Sequence, residues 1–384
     1  MMIDESSAYL SRGNDVGIAT RDGVQPVVDN TRIGVSRGLR DWLLAQQTSF
    51  AFTSYQSGRL VLVGAMPNGT VSIHQQQYDR VMGLCWARRQ LFVATRLHVL
   101  RLVDVAGSAQ LPPSAFDVAL MPRVSHATGN IDVHEMAVDA SDRLIMVNTL
   151  YSCLCILDER HSFRPIWKPS FISQLAPEDR CHLNGLGMLD GRPKYVTAVS
   201  QTDVADGWHG KPLPRGVIID VETNRVVTDE LSMPHSPRSA NGRIYALDSG
   251  RGFLVEVDPQ TGGLSDVAFC PGFLRGLAIT GHYAVMTVSK PRYGGFADLP
   301  IEAELNLRQG TPMCGVLIID LRNGDIVEWV KIEGDVTELF TVALMPGVVC
   351  PMSVGLGSPE FPEVVTFEPN VSALDSPPRH SAIS

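Results

Sequence analysis

Three histidines stand in similar surroundings: Val133-His134-Glu135-Met136, Cys181-His182-Leu183-Asn184-Gly185 and Pro234-His235-Ser236-Pro237-Arg238. His134 and His182 are separated by 48 residues and His182 and His235 by 53, and each histidine runs into an apolar, strand-like segment. That spacing matches one four-stranded blade of a β-propeller. If each histidine opens the innermost strand of its blade, closing the ring brings all three imidazoles to one end of a central channel. Three neutral imidazoles on converging strands can hold a divalent ion such as zinc, manganese, iron or nickel, with positions left open for water or a substrate oxygen. Such an ion would polarise a carboxylate or carbonyl and acidify a bound water or an adjacent C–H.

Other strand openings carry polar groups as well. Glu135 follows His134, Asn184 follows His182 by two positions, Arg238 follows His235 by three, and Arg275 and Glu338 open two further strands. A sheet buried on both faces is expected to carry apolar residues there, so the repeated polar choice points to a surface facing water or a ligand. In the catalytic version His134, His182 and His235 bind the metal, and Arg238 and Arg275 clamp an anionic substrate by bidentate hydrogen bonds. Asn184 and Trp208 make further substrate contacts. Glu338 or Glu135 moves the proton, with His235, Arg238 and Arg275 sharing in the chemistry. The plainer alternative is a wet channel whose polar side chains bond to one another and to ordered water. The histidines also fit a third role, as hydrogen-bond donors to an anion with no metal present.

Weaker candidates flank this set. Cys181 adjoins His182 and is a nucleophile only if the imidazole activates it; buried packing is the expectation. Asp203, Asp206, Trp208 and His209 share one loop that lacks the terminal Glu and the ligand count of an EF-hand, so Trp208 reads there as a hydrophobic lid. Lys290-Pro291-Arg292-Tyr293 offers positive charge above the channel or a solvated turn. His74, His126, His161, His282 and His380 fall outside the register. Leu183 to Gly187 has glycines but no GxGxxG, and no Gly-x-Ser-x-Gly, Walker or His-Glu-x-x-His pattern occurs.

The elements that must position these residues read as short β-branched runs between turn residues. Arg59 to Gly64, Gln90 to Thr95, Arg143 to Val147, Arg243 to Leu247, Tyr283 to Val288 and Gly315 to Asp320 are strands. Asn68-Gly69, Asp190-Gly191, Asn241-Gly242 and Asn323-Gly324 are hairpin turns. GVIIDVETNRVV and GVLIIDLRNGDIV are repeats of one unit. Innermost strands are expected to begin near Trp42, Met82, His134, His182, His235, Arg275 and Glu338. That gives a closed all-β propeller of four-stranded antiparallel blades, seven preferred, or six if Trp42 belongs to an outer strand. Glu338 to Gly355 looks short for a blade, and Thr31 to Ser36 is expected to help close the ring. Val204 to Arg215 and Pro291 to Pro312 read as mouth loops, and Ser36 to Gln46 and Pro300 to Arg308 as helices. The propeller spans 26–372, between mobile ends at 1–25 and 373–384.

Composition limits function. With 384 residues, 44% hydrophobic and 19% charged, the chain has the balance of a globular protein. A net charge of -9 argues against a general nucleic-acid or anionic-membrane binder, which would show a basic face. The first residues lack the regions of a secretory signal and no run approaches membrane-spanning length, so a cytoplasmic location is expected. Seven scattered cysteines without Cys-x-x-Cys spacing suit that compartment.

Seven segments carry a resemblance: RCHLNGLG, TDVADGWHG, MPHSPR, YALDSGRG, PGFLRGLA, VSKPR and TELFTV. On them the chain resembles an uncharacterised family of conserved bacterial proteins, of the domain of unknown function 4915 type. The resemblance implies a propeller and a set of signature positions, but no activity. His209 stands where the family pattern leads one to expect Arg. A looser likeness of architecture alone links the chain to propeller enzymes with channel histidines, such as certain uronate lyases, and to the lactonase and strictosidine-synthase group. The expectation is an enzyme of lyase, isomerase or hydrolase type acting on a small anionic metabolite. Its rival is a non-catalytic propeller that binds a peptide or protein on its rim.

Overall fold

The computed structural model describes residues 30–367 apart from 109, 112–113, 210–214, 293–294 and 297–298; the two terminal segments expected to be mobile lie outside it. Six sheets, antiparallel except for one added edge strand, form a propeller, so the alternative count of six is the observed one. The expected opening near Trp42 is the helix Leu39–Ala45, in which Leu39, Trp42 and Leu43 are buried. Apolar residues at that spacing line one face of a helix and cannot alternate across a strand.

Five blades run inside to outside in chain order. Their innermost strands are Leu84–Ala87 in blade 2, Val133–Val138 in blade 3, Leu183–Leu189 in blade 4, Pro234–Ala240 in blade 5 and Phe273–Thr280 in blade 6. Blade 1 is closed differently: Val342–Pro346, from the far end of the chain, pairs antiparallel with Thr48–Ser54 and becomes its innermost strand. The run from Glu338 therefore supplies one strand rather than a blade. Its continuation, Pro351–Ser353, lies parallel to Val118–Ala127 on the outside of blade 2. Arg32–Val35 does not close the ring; it extends the outer edge of blade 6 against Ile326–Glu333.

Local chemistry explains the repeat. Asp104, Asp158, Asp220, Asp258 and Asp320 lie at or just after the end of the third strand in blades 2 to 6. In each, Oδ1 accepts a backbone N–H two residues on, as in Ala106 N at 2.9 Å and Gln260 N at 2.8 Å. An aspartate so placed turns the chain outward into the fourth strand. Asp190-Gly191 and Asn241-Gly242 have both residues at positive φ, as the tight hairpins of blades 4 and 5 require.

Hydroxyls tie blade to blade near the channel. Thr53 donates to Met82 O at 2.7 Å, Thr149 to Leu183 O at 2.6 Å, Ser249 to Leu274 O at 2.6 Å and Thr287 to Phe340 O at 2.7 Å. Glycine allows the inner strands to approach each other: a Cβ on Gly276 would stand 2.6 Å from Val342 N and 2.7 Å from Thr341 Cα. Between the blades, interlocking clusters such as Phe50, Phe52, Val316 and Ile318 form the core. Among the described residues no helix is long and apolar enough to cross a membrane.

Candidate active site

All six innermost strands start at the same end of the channel, and the loops between second and third strands reach that end too. The mouth is therefore built by strand openings (His134, His182, His235, Arg275 and the approach Glu338–Thr341) and by loop residues Tyr55, Thr149, Trp208, Ser249 and Arg292.

Two of the three imidazoles stand side by side. The rings of His134 and His182 lie 5.0 Å apart and nearly perpendicular, and His134 also stands edge-on to Phe340 at 5.0 Å. His134 and His235 have nearly identical supports. His134 Nδ1–H donates to the carbonyl of Asp132 at 3.1 Å and to Thr149 Oγ1 at 2.7 Å. His235 Nδ1–H donates to the carbonyl of Met233 at 2.9 Å and to Ser249 Oγ at 3.0 Å. Both carbonyls belong to residues at positive φ two positions earlier, and both hydroxyls spend their own proton on the next blade. Acceptors at Nδ1 leave Nε2 as the bare nitrogen of the neutral ring. Burial, with His182 and Arg275 adding repulsion, holds His134 at about 4. Burial together with Arg275, His134 and His182 puts His235 well below its ordinary value.

His182 is held by a charge. Its Nδ1 lies 2.7 Å from Asp179 Oδ2, which also accepts the Trp208 indole N–H at 3.0 Å. The Trp208 ring lies over His182 at 4.1 Å and under His209 at 3.7 Å. A carboxylate on Nδ1 fixes the tautomer and stabilises the imidazolium that forms when Nε2 takes a proton.

Arg275 is the third component. Its guanidinium lies 5.4 Å from the Tyr55 ring, 5.2 Å from Phe273 and 5.3 Å from Phe340, so three aromatic faces cage it. The side chain is 13% exposed, Nε is buried without a hydrogen-bond partner among the described residues, and Glu338 Oε2 is 3.8 Å from Nη2. Glu338 gives its closer contacts to Arg292 Nε at 2.7 Å and to the Tyr55 hydroxyl, which Arg292 also bonds. Burial raises the Tyr55 phenol above its ordinary value and lowers the Arg275 guanidinium, which still remains charged.

Three expected members of the site are engaged elsewhere. Glu135 and Arg238 pair with each other: Glu135 also accepts Leu186 N at 2.6 Å and Ser236 Oγ at 3.0 Å, and Arg238 donates to the carbonyls of Leu186 and Pro237 at 2.9 Å. This network joins blades 3, 4 and 5. Asn184 Oδ1 accepts Thr197 Oγ1 at 2.6 Å, and its buried Nδ2 has no partner among the described residues. Asp203 binds Ser173 N and Arg180, and burial pushes the Cys181 thiol up to about 12, so that thiol is not primed as a nucleophile. Among the described residues no three His, Cys, Asp or Glu side chains are placed to hold a metal ion as they stand.

Sequence reasoning passed over Asp179, Tyr55, Phe273, Phe340, Thr149 and Ser249. The hydroxyl directly after the second strand, in Asn148-Thr149 and Asp248-Ser249, was the available signal.

No curated protein matches the chain. Among solved structures, a chain of a nidogen/laminin complex is similar with a TM-score of 0.51 at 10% identity, covering 78% of this chain and 99% of its own. A protein of unknown function from Bacteroides caccae has a TM-score of 0.49 at 7% identity, with the same coverage. Likeness at such identity concerns the fold alone. Residues 37–354 match the family model described as Domain of unknown function (DUF4915), and the chain belongs to that family.

Proposed function

We propose that the channel mouth is an enzyme active site for a small anionic metabolite, with Arg275 anchoring the anion and His182, backed by Asp179, moving the proton. The observation that carries this reading is the Arg275 guanidinium, buried in an aromatic cage with Nε unpartnered among the described residues and its carboxylate neighbour 3.8 Å away. A buried cation left so poorly matched is costly, and an incoming carboxylate or phosphate would supply the missing hydrogen bonds. His134 and His235, kept neutral by burial, offer Nε2 as acceptors for substrate hydroxyls. Glu338 holds Tyr55 and Arg292 around the anchor.

The chemistry this arrangement suits is proton removal beside the anchored anion. Nε2 of His182 takes the proton from carbon, the electron pair left behind delocalises into the carboxylate, and Arg275 stabilises the added charge. Returning the proton elsewhere gives an isomerase, and loss of a neighbouring leaving group gives a lyase. The same base acting on water would give a hydrolase.

Binding of hydroxy-carboxylates and sugar phosphates, followed by calorimetry, tests the anchor, and NMR detection of solvent deuterium uptake next to the carboxylate tests the base. Arg275→Gln is expected to weaken binding at least tenfold, and His182→Ala to abolish deuterium uptake while leaving binding. Anion binding unchanged by Arg275→Gln would overturn the reading.

A divalent ion is the second reading. It is favoured by one observation, that all three imidazoles have Nδ1 fixed by an acceptor, the support that metal-binding histidines require. Metal analysis of tag-free protein decides it: stoichiometric metal, lost in His182→Ala/His235→Ala, would supplant the metal-free scheme.

A further inference from the structure

We infer that Glu338 sets the charge of the ligand: the mouth accepts an acid with a single negative charge, a monocarboxylate, and turns away dianions such as phosphate monoesters. This rests on the reading of Arg275 as the anion anchor. Glu338 is then a specificity residue that acts through its charge and leaves the proton to His182.

The carboxylate is built into the ring. The backbone around Glu338 is pinned from two blades: Gln56 Oε1 accepts Thr337 N at 3.0 Å and Glu338 N at 3.1 Å, and Ser289 Oγ accepts Leu339 N at 3.0 Å. The side chain is 11% exposed, and its Oε2 takes Arg292 Nε at 2.7 Å and the Tyr55 hydroxyl while standing 3.8 Å from Arg275 Nη2. An acid held at both ends stays in place when a ligand arrives. The guanidinium groups of Arg275 and Arg292 lie 5.4 and 5.6 Å from the same Tyr55 ring, so both cations border one spot and share one carboxylate.

Two cations against one carboxylate leave a single positive charge at the anchor. Asp132 is matched by Arg80, which donates to its Oδ1 at 3.1 Å, and Asp179, bonded to His182, puts further negative charge in the mouth. His134 and His235, kept neutral by burial, add no positive charge. One ligand carboxylate therefore brings the anchor to neutrality. A second negative charge would face Glu338 beside Tyr55, Phe273 and Phe340, where little water screens the repulsion. A pair of arginines without the glutamate would rank anions the other way, because a dianion gains more from two cations.

The test titrates acetate, methanesulfonate and sulfate into the full chain by calorimetry at neutral pH in chloride-free buffer; the last two share a tetrahedral shape and differ by one charge. Acetate and methanesulfonate are expected to bind at least about tenfold more tightly than sulfate. Glu338→Gln keeps the shape of the side chain and removes its charge, and is expected to raise sulfate binding at least about tenfold relative to methanesulfonate. Arg292→Gln, at a half-exposed position, serves if that variant does not fold, and is expected to widen the preference for methanesulfonate. Sulfate bound by the wild type as tightly as methanesulfonate, or a ratio of the two that the folded variant leaves unmoved, overturns the inference. Anion binding that is absent, or that survives Arg275→Gln, instead overturns the anchor on which it rests.

Discussion

Two glutamate–arginine pairs sit on the channel strands of one ring, and they are built in opposite ways. Glu135 is 4% exposed and accepts a backbone N–H, a serine hydroxyl and Arg238, whose remaining donors reach two carbonyls. Glu338 and Arg275 face each other at 3.8 Å, the carboxylate taken up by Tyr55 and Arg292 and the guanidinium left, among the described residues, to three rings. The first pair is finished and the second is not. Residue type is the same in both, so only the inventory of partners separates a strut from a pair with bonding capacity to spare.

The largest effect expected is from breaking the finished pair. Glu135→Ala leaves Arg238 uncompensated between three blades, and a loss of about 3–5 kcal/mol in denaturant unfolding is expected. Arg275→Gln should stay within about 1 kcal/mol of the wild type by the same measurement, because the group it removes has few bonds to lose. Equal losses at the two sites would end the distinction.

Acid separates the regions next. The neutral form of His134 is favoured in the folded state, where its pKa is about 4 against 6.5 unfolded. Its contribution is therefore complete above pH 6.5 and is lost as pH falls toward 4, on the order of 3 kcal/mol, with His235 acting in the same direction. Burial raises Asp248 to about 6, so its penalty is relieved over the same descent. Asp248→Asn should remove that relief and steepen the acid-induced loss, as thermal midpoints at pH 7, 6, 5 and 4.5 would show.

A smaller effect than that of Glu135→Ala sharpens the comparison among the imidazoles. Thr149→Val deletes the hydroxyl that joins His134 to blade 4 and should cost about 1–2 kcal/mol in denaturant unfolding. Ser249→Ala should cost a similar amount, since it holds the same place under His235.

Much of the ring was legible in the chain because blades repeat local rules. Strand runs such as Arg243 to Leu247 and Tyr283 to Val288 are observed within a residue as Arg243–Asp248 and Tyr283–Ser289, since alternation and the flanking turns act over a few residues. The imidazole cluster was legible for the same reason, each histidine occupying the same place in its repeat. Trp42 misled the blade count because one apolar residue fits either period until its neighbours Leu39 and Leu43 are weighed. Glu135 and Arg238 looked functional because their partners come from other blades, 51 and 101 residues away for Leu186 and Ser236. Tyr55 and Glu338 are 283 residues apart and meet only through closure, which no local pattern announces.

The seam that shuts the ring has a consequence in time. Glu338 and Phe340 arrive on the stretch leading into Val342–Pro346, the segment that completes blade 1 from the distant end of the polypeptide. A chain emerging from the ribosome already holds its three imidazoles while Arg275 has neither its acid neighbour nor its third ring. The mouth is thus completed last, by the same step that makes the protein a circle.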